Sequence, residues 1–370
     1  MTDIKKYSIL TINFGSTSTK IALFENDACL VRDSITHPVE AIKAAPTYFD
    51  QYDFRMESIL EWLKMNNVSL NDLDAICARG GHTEPTPGGT WLVNDAMVKE
   101  NKLGHWGHHP CNLGPLCALE LCKQTDHAIP LTVDTPTTDE MDPIARYSGV
   151  PGMDRRPNVQ VLNIKAMSKY YAEQQGRPFE EMRLVTVMLG GGVGVVAIRD
   201  GRMVDGPDSI EGEGPFCNMR SGYVDAGQII KKCFSGERDL DGMIHLINGE
   251  SGLIGYLGTT DIRQIMADIE AGDQKSREVI EAMCYQTAKE IGGLAAAVFE
   301  GRVDAILLIG GMANAKFIVD EITRRVESIA PVVIMPGERE MEALAQGAYE
   351  GLAGISPIQE FIPTELAQYE

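Results

Sequence analysis

Asn13-Phe14-Gly15-Ser16-Thr17-Ser18-Thr19-Lys20 lies between two apolar runs, Tyr7 to Asn13 and Ile21 to Glu25. The first run alternates and is rich in β-formers, and the second resumes the apolar pattern after a small, polar stretch from Gly15 to Lys20. This predicts a β-hairpin whose tip is a glycine and hydroxyl loop. Such a tip offers backbone N–H groups, hydroxyl donors and a lysine within one turn, a set that phosphate oxygens favour. The P-loop pattern GxxxxGK[ST] is absent, and the element after the loop reads as a strand. An ordinary polar hairpin tip is the competing reading.

The arrangement returns around Leu184. Leu184 to Leu189 reads as a strand, Gly190-Gly191-Gly192 as a tip and Val193 to Ile198 as the return strand, with a third strand after Asp200-Gly201. A second echo links Asp74-Ala75-Ile76, leading to Gly80-Gly81, with Asp304-Ala305-Ile306, leading to Gly310-Gly311. Two echoes in the same order suggest a duplicated domain, because the period far exceeds a solenoid unit. Helical patterns cover Ser58 to Met65, Gly114 to Lys123, Ile164 to Gln175, Lys275 to Phe299 and about Glu338 to Gly351. Alternating strands and helices predict an α/β fold. Met153 to Pro157 reads as a hinge into the second half.

At 370 residues the chain exceeds the roughly 250 to 300 at which one core usually splits, so two domains are expected. A formal charge of −20 argues against a nucleic-acid partner. Eight cysteines without CxxC pairs fit reduced thiols better than a disulfide framework. MTDIKKYSILTINFG lacks the layout of a signal peptide, and no apolar run approaches 18 residues, so the expected setting is cytoplasmic with no membrane partner.

Several segments together resemble butyrate kinase, and more distantly acetate kinase. They are INFGSTSTKIALFE, the LGGG loop, GPFCNMRSG at Gly214 to Gly222, GYLGTTDIR at Gly255 to Arg263, DAILLIGGMA at Asp304 to Ala313 and APVVIMPGEREMEALAQGA at Ala330 to Ala348. The resemblance covers nearly the whole chain. It implies two duplicated ribonuclease-H-like domains with mixed sheets flanked by helices, with the nucleotide in the cleft between them. The expected boundaries are 1–152, joined by a C-terminal helix at about 343–370, and 153–342. It further implies reversible, Mg-dependent transfer of the γ-phosphoryl of ATP to a short-chain carboxylate, by a homodimer or higher homo-oligomer. Phosphoryl transfer demands mainly positioning and charge neutralisation, so no covalent nucleophile is required.

Carried over residue by residue, Asn13, Gly15, Ser16, Ser18 and Lys20 match the first phosphate loop. Gly190, Gly191, Gly192, Gly310 and Gly311 match further nucleotide contacts, and Asp261 with Arg263 resembles a nucleoside-binding pair. Arg220 matches an arginine set against the acyl carboxylate and the transferring phosphoryl, a task suited to a planar guanidinium. Arg79 is a second substrate arginine, Asp134 an aspartate that positions arginine and Mg, and His109, beside His108, a donor to a phosphoryl oxygen. Among Glu338, Glu340 and Glu342, Glu340 is the candidate for the Mg shell. Each has a structural alternative: a surface ion pair for Arg220, helix capping for Asp134 and Asp261, a plain loop position for the histidines, and a favourable helix dipole for the glutamates.

One departure from the family pattern follows Arg155-Arg156, where a histidine is usual and this chain has Gln160. Gln160 can donate a hydrogen bond but cannot become cationic. Two readings from other classes stand beside the carboxylate kinase: an actin-like or chaperone-like nucleotide-binding module, and, motivated by Gln160, a degenerate paralogue that binds nucleotide without catalysis.

Overall fold

A computed structural model describes residues 5–363. They form two compact units, residues 5–138 with 339–363, and residues 139–338. The strands are β1 (Ser8–Phe14), β2 (Ser18–Glu25), β3 (Ala28–Thr36), β4 (Ala75–Ala78), β5 (Thr90–Leu92), β6 (Ile129–Val133), β7 (Leu184–Leu189), β8 (Val193–Arg199), β9 (Arg202–Asp205), β10 (Ala305–Gly310), β11 (Val332–Pro336) and β12 (Ile358–Glu360).

The first unit holds a seven-stranded sheet ordered β12-β5-β6-β4-β1-β2-β3, and the second a five-stranded sheet ordered β11-β10-β7-β8-β9. In both, an antiparallel meander (β1-β2-β3, β7-β8-β9) is followed by a strand parallel to its first member (β4, β10) and a further parallel strand (β6, β11). The duplication inferred from the glycine echoes is therefore a duplication of topology.

It extends to individual hydrogen bonds. The Asp74 carboxylate accepts from the N–H of Ser8 at 2.8 Å, and the Asp304 carboxylate accepts from the N–H of Arg183 at 2.8 Å. Each aspartate also donates its own N–H to the carbonyl of that same partner. A charged acceptor at this point fixes the register in which the parallel strand enters beside the first strand.

Helices cover both sheet faces because the central strands carry apolar side chains on both. In the first unit, Leu10, Ile12, Phe14 and Ile21 pack with Met56, Ile59, Trp62 and Leu63 of helix Tyr52–Met65 and with Cys117, Ala118 and Leu121 of helix Leu113–Cys122. In the second, Val185, Val187, Ile306 and Leu308 pack with helices Gln274–Phe299 and Lys316–Val326. On its opposite face Leu184, Val196, Leu307 and Ile309 pack with Ile164, Met167 and Tyr171 of helix Val161–Gln174.

Three expectations need adjustment. Ser18 to Lys20 belong to β2 and only Gly15 to Thr17 form the tip, because hydroxyl side chains are at home on a ladder that pairs Phe14 with Thr19. Residues 139–152 pack with the second unit: Asp142 donates its N–H to the Val204 carbonyl at 2.9 Å, and Glu140 pairs with buried Lys165 at 2.9 Å. The C-terminal helix runs Glu340–Leu352 and then stops, since Gly354 takes a left-handed φ of 70° and Pro357 follows; β12 comes next. The part of that expectation at 364–370 lies outside the described residues.

Candidate active site

In the first unit β1 carries Asn13 to the edge of the tip, directly across from Lys20 on β2, so the two side chains leave the same sheet face. Asn13 is buried and its amide donates to the Glu340 carboxylate, the first residue of helix Glu340–Leu352. Arg79 follows β4, with its N–H donated to the Ile12 carbonyl at 2.8 Å, and its guanidinium lies 3.6 Å from the same Glu340 carboxylate. Three residues chosen separately from the sequence thus meet. Of the three glutamates, Glu342 is instead engaged by Arg32 at 2.5 Å.

A second cluster adjoins Arg79. His82 is buried, and its N–H and ring Nδ1 both lie 3.1 Å from the Asn112 side-chain oxygen. Burial, with Arg79 and His108 nearby, holds the His82 imidazole below its ordinary pKa and therefore neutral. His109 stands edge-on to His82, with ring centroids 6.3 Å apart, and its Nδ1 accepts from the Cys111 N–H at 3.2 Å. His108 packs over Gly104. Asp134 is buried with a left-handed φ of 43°, and its carboxylate accepts from the Gly89 N–H at 2.9 Å.

In the second unit the Gly190 to Gly192 tip is enclosed from two sides. A side chain at Gly192 would come within 2.6 Å of Arg220 Nη1 and 3.4 Å of Gln160 Nε2, so a bare backbone is what lets both reach the tip. Gly310, with φ 88°, would drive any Cβ to 2.5 Å from the Leu189 carbonyl oxygen, which places Gly310 and Gly311 beside the same tip. Arg220 makes only long contacts, 3.3 Å to the Ser209 hydroxyl and 3.5 Å to its carbonyl, and no carboxylate pairs with it among the described residues. The surface ion pair is thus not what the structure shows. Among the described residues the buried Gln160 side-chain oxygen finds no hydrogen-bond partner.

Asp261 caps helix Ile262–Glu270, accepting from the N–H of Arg263 at 2.9 Å, and among the described residues no hydrogen bond ties Asp261 or the Arg263 side chain to the glycine tip. All eight cysteines are unpaired, and burial pushes the thiols of Cys77, Cys111, Cys117, Cys122 and Cys284 up, keeping them protonated.

The glycine tip with Arg220 fits a phosphate-bearing ligand: open backbone at Gly191 and Gly311 and a guanidinium that no carboxylate among the described residues pairs with. For a divalent ion, no three His, Cys, Asp or Glu side chains gather among the described residues. Glu340, already facing Arg79 and Asn13, fits a Mg ion held through water, as Mg keeps several of its waters. No described helix is long and apolar enough to cross a membrane.

Sequence reasoning missed Arg55, His82 and the bonding role of Asn112. The signal for Arg55 was a cation in the apolar stripe of helix Tyr52–Met65, one turn before Ile59.

Comparison with known proteins places the model of the Acetokinase family on residues 162–339, just under half of the chain and all but the last residue within the second unit. Among solved structures, the Porphyromonas gingivalis acetate kinase superposes with a TM-score of 0.73 at 20% identity, covering 92% of this chain and 98% of that one. A propionate kinase from Francisella tularensis gives 0.72 at 18%, and the acetate kinase of Entamoeba histolytica 0.71 at 17%, each with the same coverage. Residues 162–339 are thus similar in sequence to the Acetokinase family, and the chain shares the fold of these acetate and propionate kinases.

Proposed function

We propose that this protein is an acyl kinase that transfers the γ-phosphoryl of ATP to a short-chain carboxylate, giving the acyl phosphate and ADP reversibly. The observation that carries this reading is Arg220, which pairs with no carboxylate among the described residues and lies against the Gly192 tip, both within the segment matched by the Acetokinase family. A planar guanidinium can hold a carboxylate and a phosphoryl group alike, and it neutralises charge that spreads over equatorial oxygens during transfer.

The Gly190 to Gly192 tip and Gly310-Gly311 let backbone approach the phosphate chain. Lys20 and Arg79 supply fixed positive charge, and Asn13 orients Glu340. His109, whose Nδ1 accepts from the Cys111 N–H, and neutral His82 are positioned as hydrogen-bond groups. Asp134 braces the end of β6 through Gly89. Glu340 would hold the water shell of a Mg ion, which would supply charge neutralisation. The motif resemblance supports a nucleoside contact for Asp261 and Arg263, alongside the helix cap that Asp261 makes.

The motif resemblance supports butyrate or a branched four- to five-carbon acid as substrate, in a cytoplasmic enzyme of the butyrate kinase type. Self-association into a homodimer or larger assembly is supported by the exposed apolar residues Ile230, Phe234, Leu240 and Ile244. The unpartnered oxygen of Gln160 favours one rival, a paralogue that binds nucleotide without transferring phosphoryl.

The test is ADP release from Mg-ATP with acetate, propionate, butyrate, isobutyrate, isovalerate or no acid, with hydroxylamine trapping acyl phosphate. Hydroxamate formation greatest with a four- or five-carbon acid is expected. Mg-ATP binding with no hydroxamate from any acid would sink the reading in favour of the non-catalytic paralogue.

A further inference from the structure

Arg55, in helix Tyr52–Met65, is fully buried and makes no contact with a carboxylate among the described residues. All its hydrogen bonds but one go to the hairpin that carries the tip. Nη1 donates to the Ser18 carbonyl and the Thr19 hydroxyl, both at 3.1 Å, and Nη2 donates to the carbonyls of Gly15 at 2.9 Å and Ser16 at 3.2 Å. Nε donates to the Gln51 side chain at 3.0 Å. Burial lowers its pKa to about 10, which leaves it cationic at neutral pH.

A carbonyl held on one side of a peptide group aims the N–H of that group to the other side. The peptide groups whose oxygens Arg55 holds carry the N–H of Ser16, Thr17 and Thr19. Among the described residues the Ser16 and Thr17 N–H groups donate no hydrogen bond within the protein, and both residues are exposed. The order is therefore cation, carbonyl, N–H and open solvent. A buried charge without a counter-ion polarises the peptide groups it bonds and strengthens their donors in a low-dielectric setting.

We propose that Arg55 is a positioning residue that fixes and polarises the Gly15 to Thr17 tip so that the N–H groups of Ser16 and Thr17 bind a phosphate group of the nucleotide. The proposal rests on the nucleotide-binding reading above and names a residue that acts through the backbone without touching the ligand.

The experiment compares the full chain with Arg55→Lys and Arg55→Met. It measures Mg-ATP affinity by calorimetry, KM for ATP and for the carboxylate in the hydroxamate assay, and the melting temperature. Lysine keeps the charge but has no fork to span the Gly15 and Ser18 carbonyls. In Arg55→Lys, Mg-ATP affinity falls at least about fivefold, with a larger loss in Arg55→Met, while KM for the carboxylate stays within about twofold. A folded Arg55→Lys protein with unchanged Mg-ATP affinity overturns the proposal, and so does an equal change in both KM values with kcat, which marks a merely structural arginine. Hydroxamate production by the wild type with Mg-ATP affinity indifferent to Arg55 removes this proposal and leaves the kinase. Weakened Mg-ATP binding in the variants with no hydroxamate from any acid does the reverse.

Discussion

The amide of Asn13 donates to the carboxylate of Glu340 across 327 positions of sequence, and Arg79 stands 3.6 Å from the same carboxylate. Glu340→Gln keeps an acceptor for Asn13 but removes the charge that faces Arg79. The expected result is a stability loss of about 1–3 kcal/mol together with a fall in kcat/KM of at least about tenfold. Thermal melting and the hydroxamate assay check the two halves, and unimpaired turnover would remove Glu340 from the site.

Gly192 and Gly310 fail differently when given a side chain. At Gly192 the new Cβ meets the far end of Arg220, which can swing away, so Gly192→Ala should melt close to wild type and lose turnover. At Gly310 the Cβ meets the backbone oxygen of Leu189 at a φ of 88°, so Gly310→Ala should lose stability by about 1–2 kcal/mol or more from the φ alone. Equal melting temperatures for the two variants would contradict this geometry.

His37 is buried between the Thr19 hydroxyl, at 2.8 Å, and the Phe54 ring, and burial followed by the nearby Arg55 charge lowers its pKa to about 4. An unfolded imidazole protonates near about 6.5. Between these values the unfolded chain binds more protons, so this contribution is present above about pH 6.5 and is lost as pH falls towards 4. His37→Gln should therefore show a shallower decline in melting temperature than wild type over that window. Parallel declines would show that His37 does not titrate there.

Gln160 lies beside Arg220 at the Gly192 tip and carries no titrating proton. Gln160→His introduces one, with an ordinary pKa of about 6.5. The ratio of variant to wild-type kcat should decline as pH rises from about 5.5 to 8, because the imidazolium assists transfer and the neutral ring does so less. A ratio independent of pH would mean that this position does not contact the reacting group.

Much of the architecture was legible because alternation and glycine punctuation are local signals. The hairpins at Gly15 and Gly190 and the strands leading to Gly80 and Gly310 could be read, and their echo announced the duplicated sheets. Asn13, Arg79 and Glu340 were each named from motifs, yet their meeting depends on a helix that returns from the far end of the chain. Arg55 escaped because a lone arginine in an apolar stripe usually extends its charge to water, and nothing local shows that loop carbonyls wait for it instead. Asp261 shows the opposite limit: its sequence context suits a helix cap and a ligand contact equally, and the structure supplies the cap.

The first unit is discontinuous, with residues 139–338 intervening before helix Glu340–Leu352 joins it. On the ribosome, Asn13 and Arg79 emerge some 260 or more positions ahead of the carboxylate they share. For that whole interval Arg79 has no Glu340 to face, so the Asn13, Arg79 and Glu340 cluster cannot form until helix Glu340–Leu352 has been made. A chain interrupted before Glu340 therefore carries the whole of residues 139–338 together with an unfinished first unit.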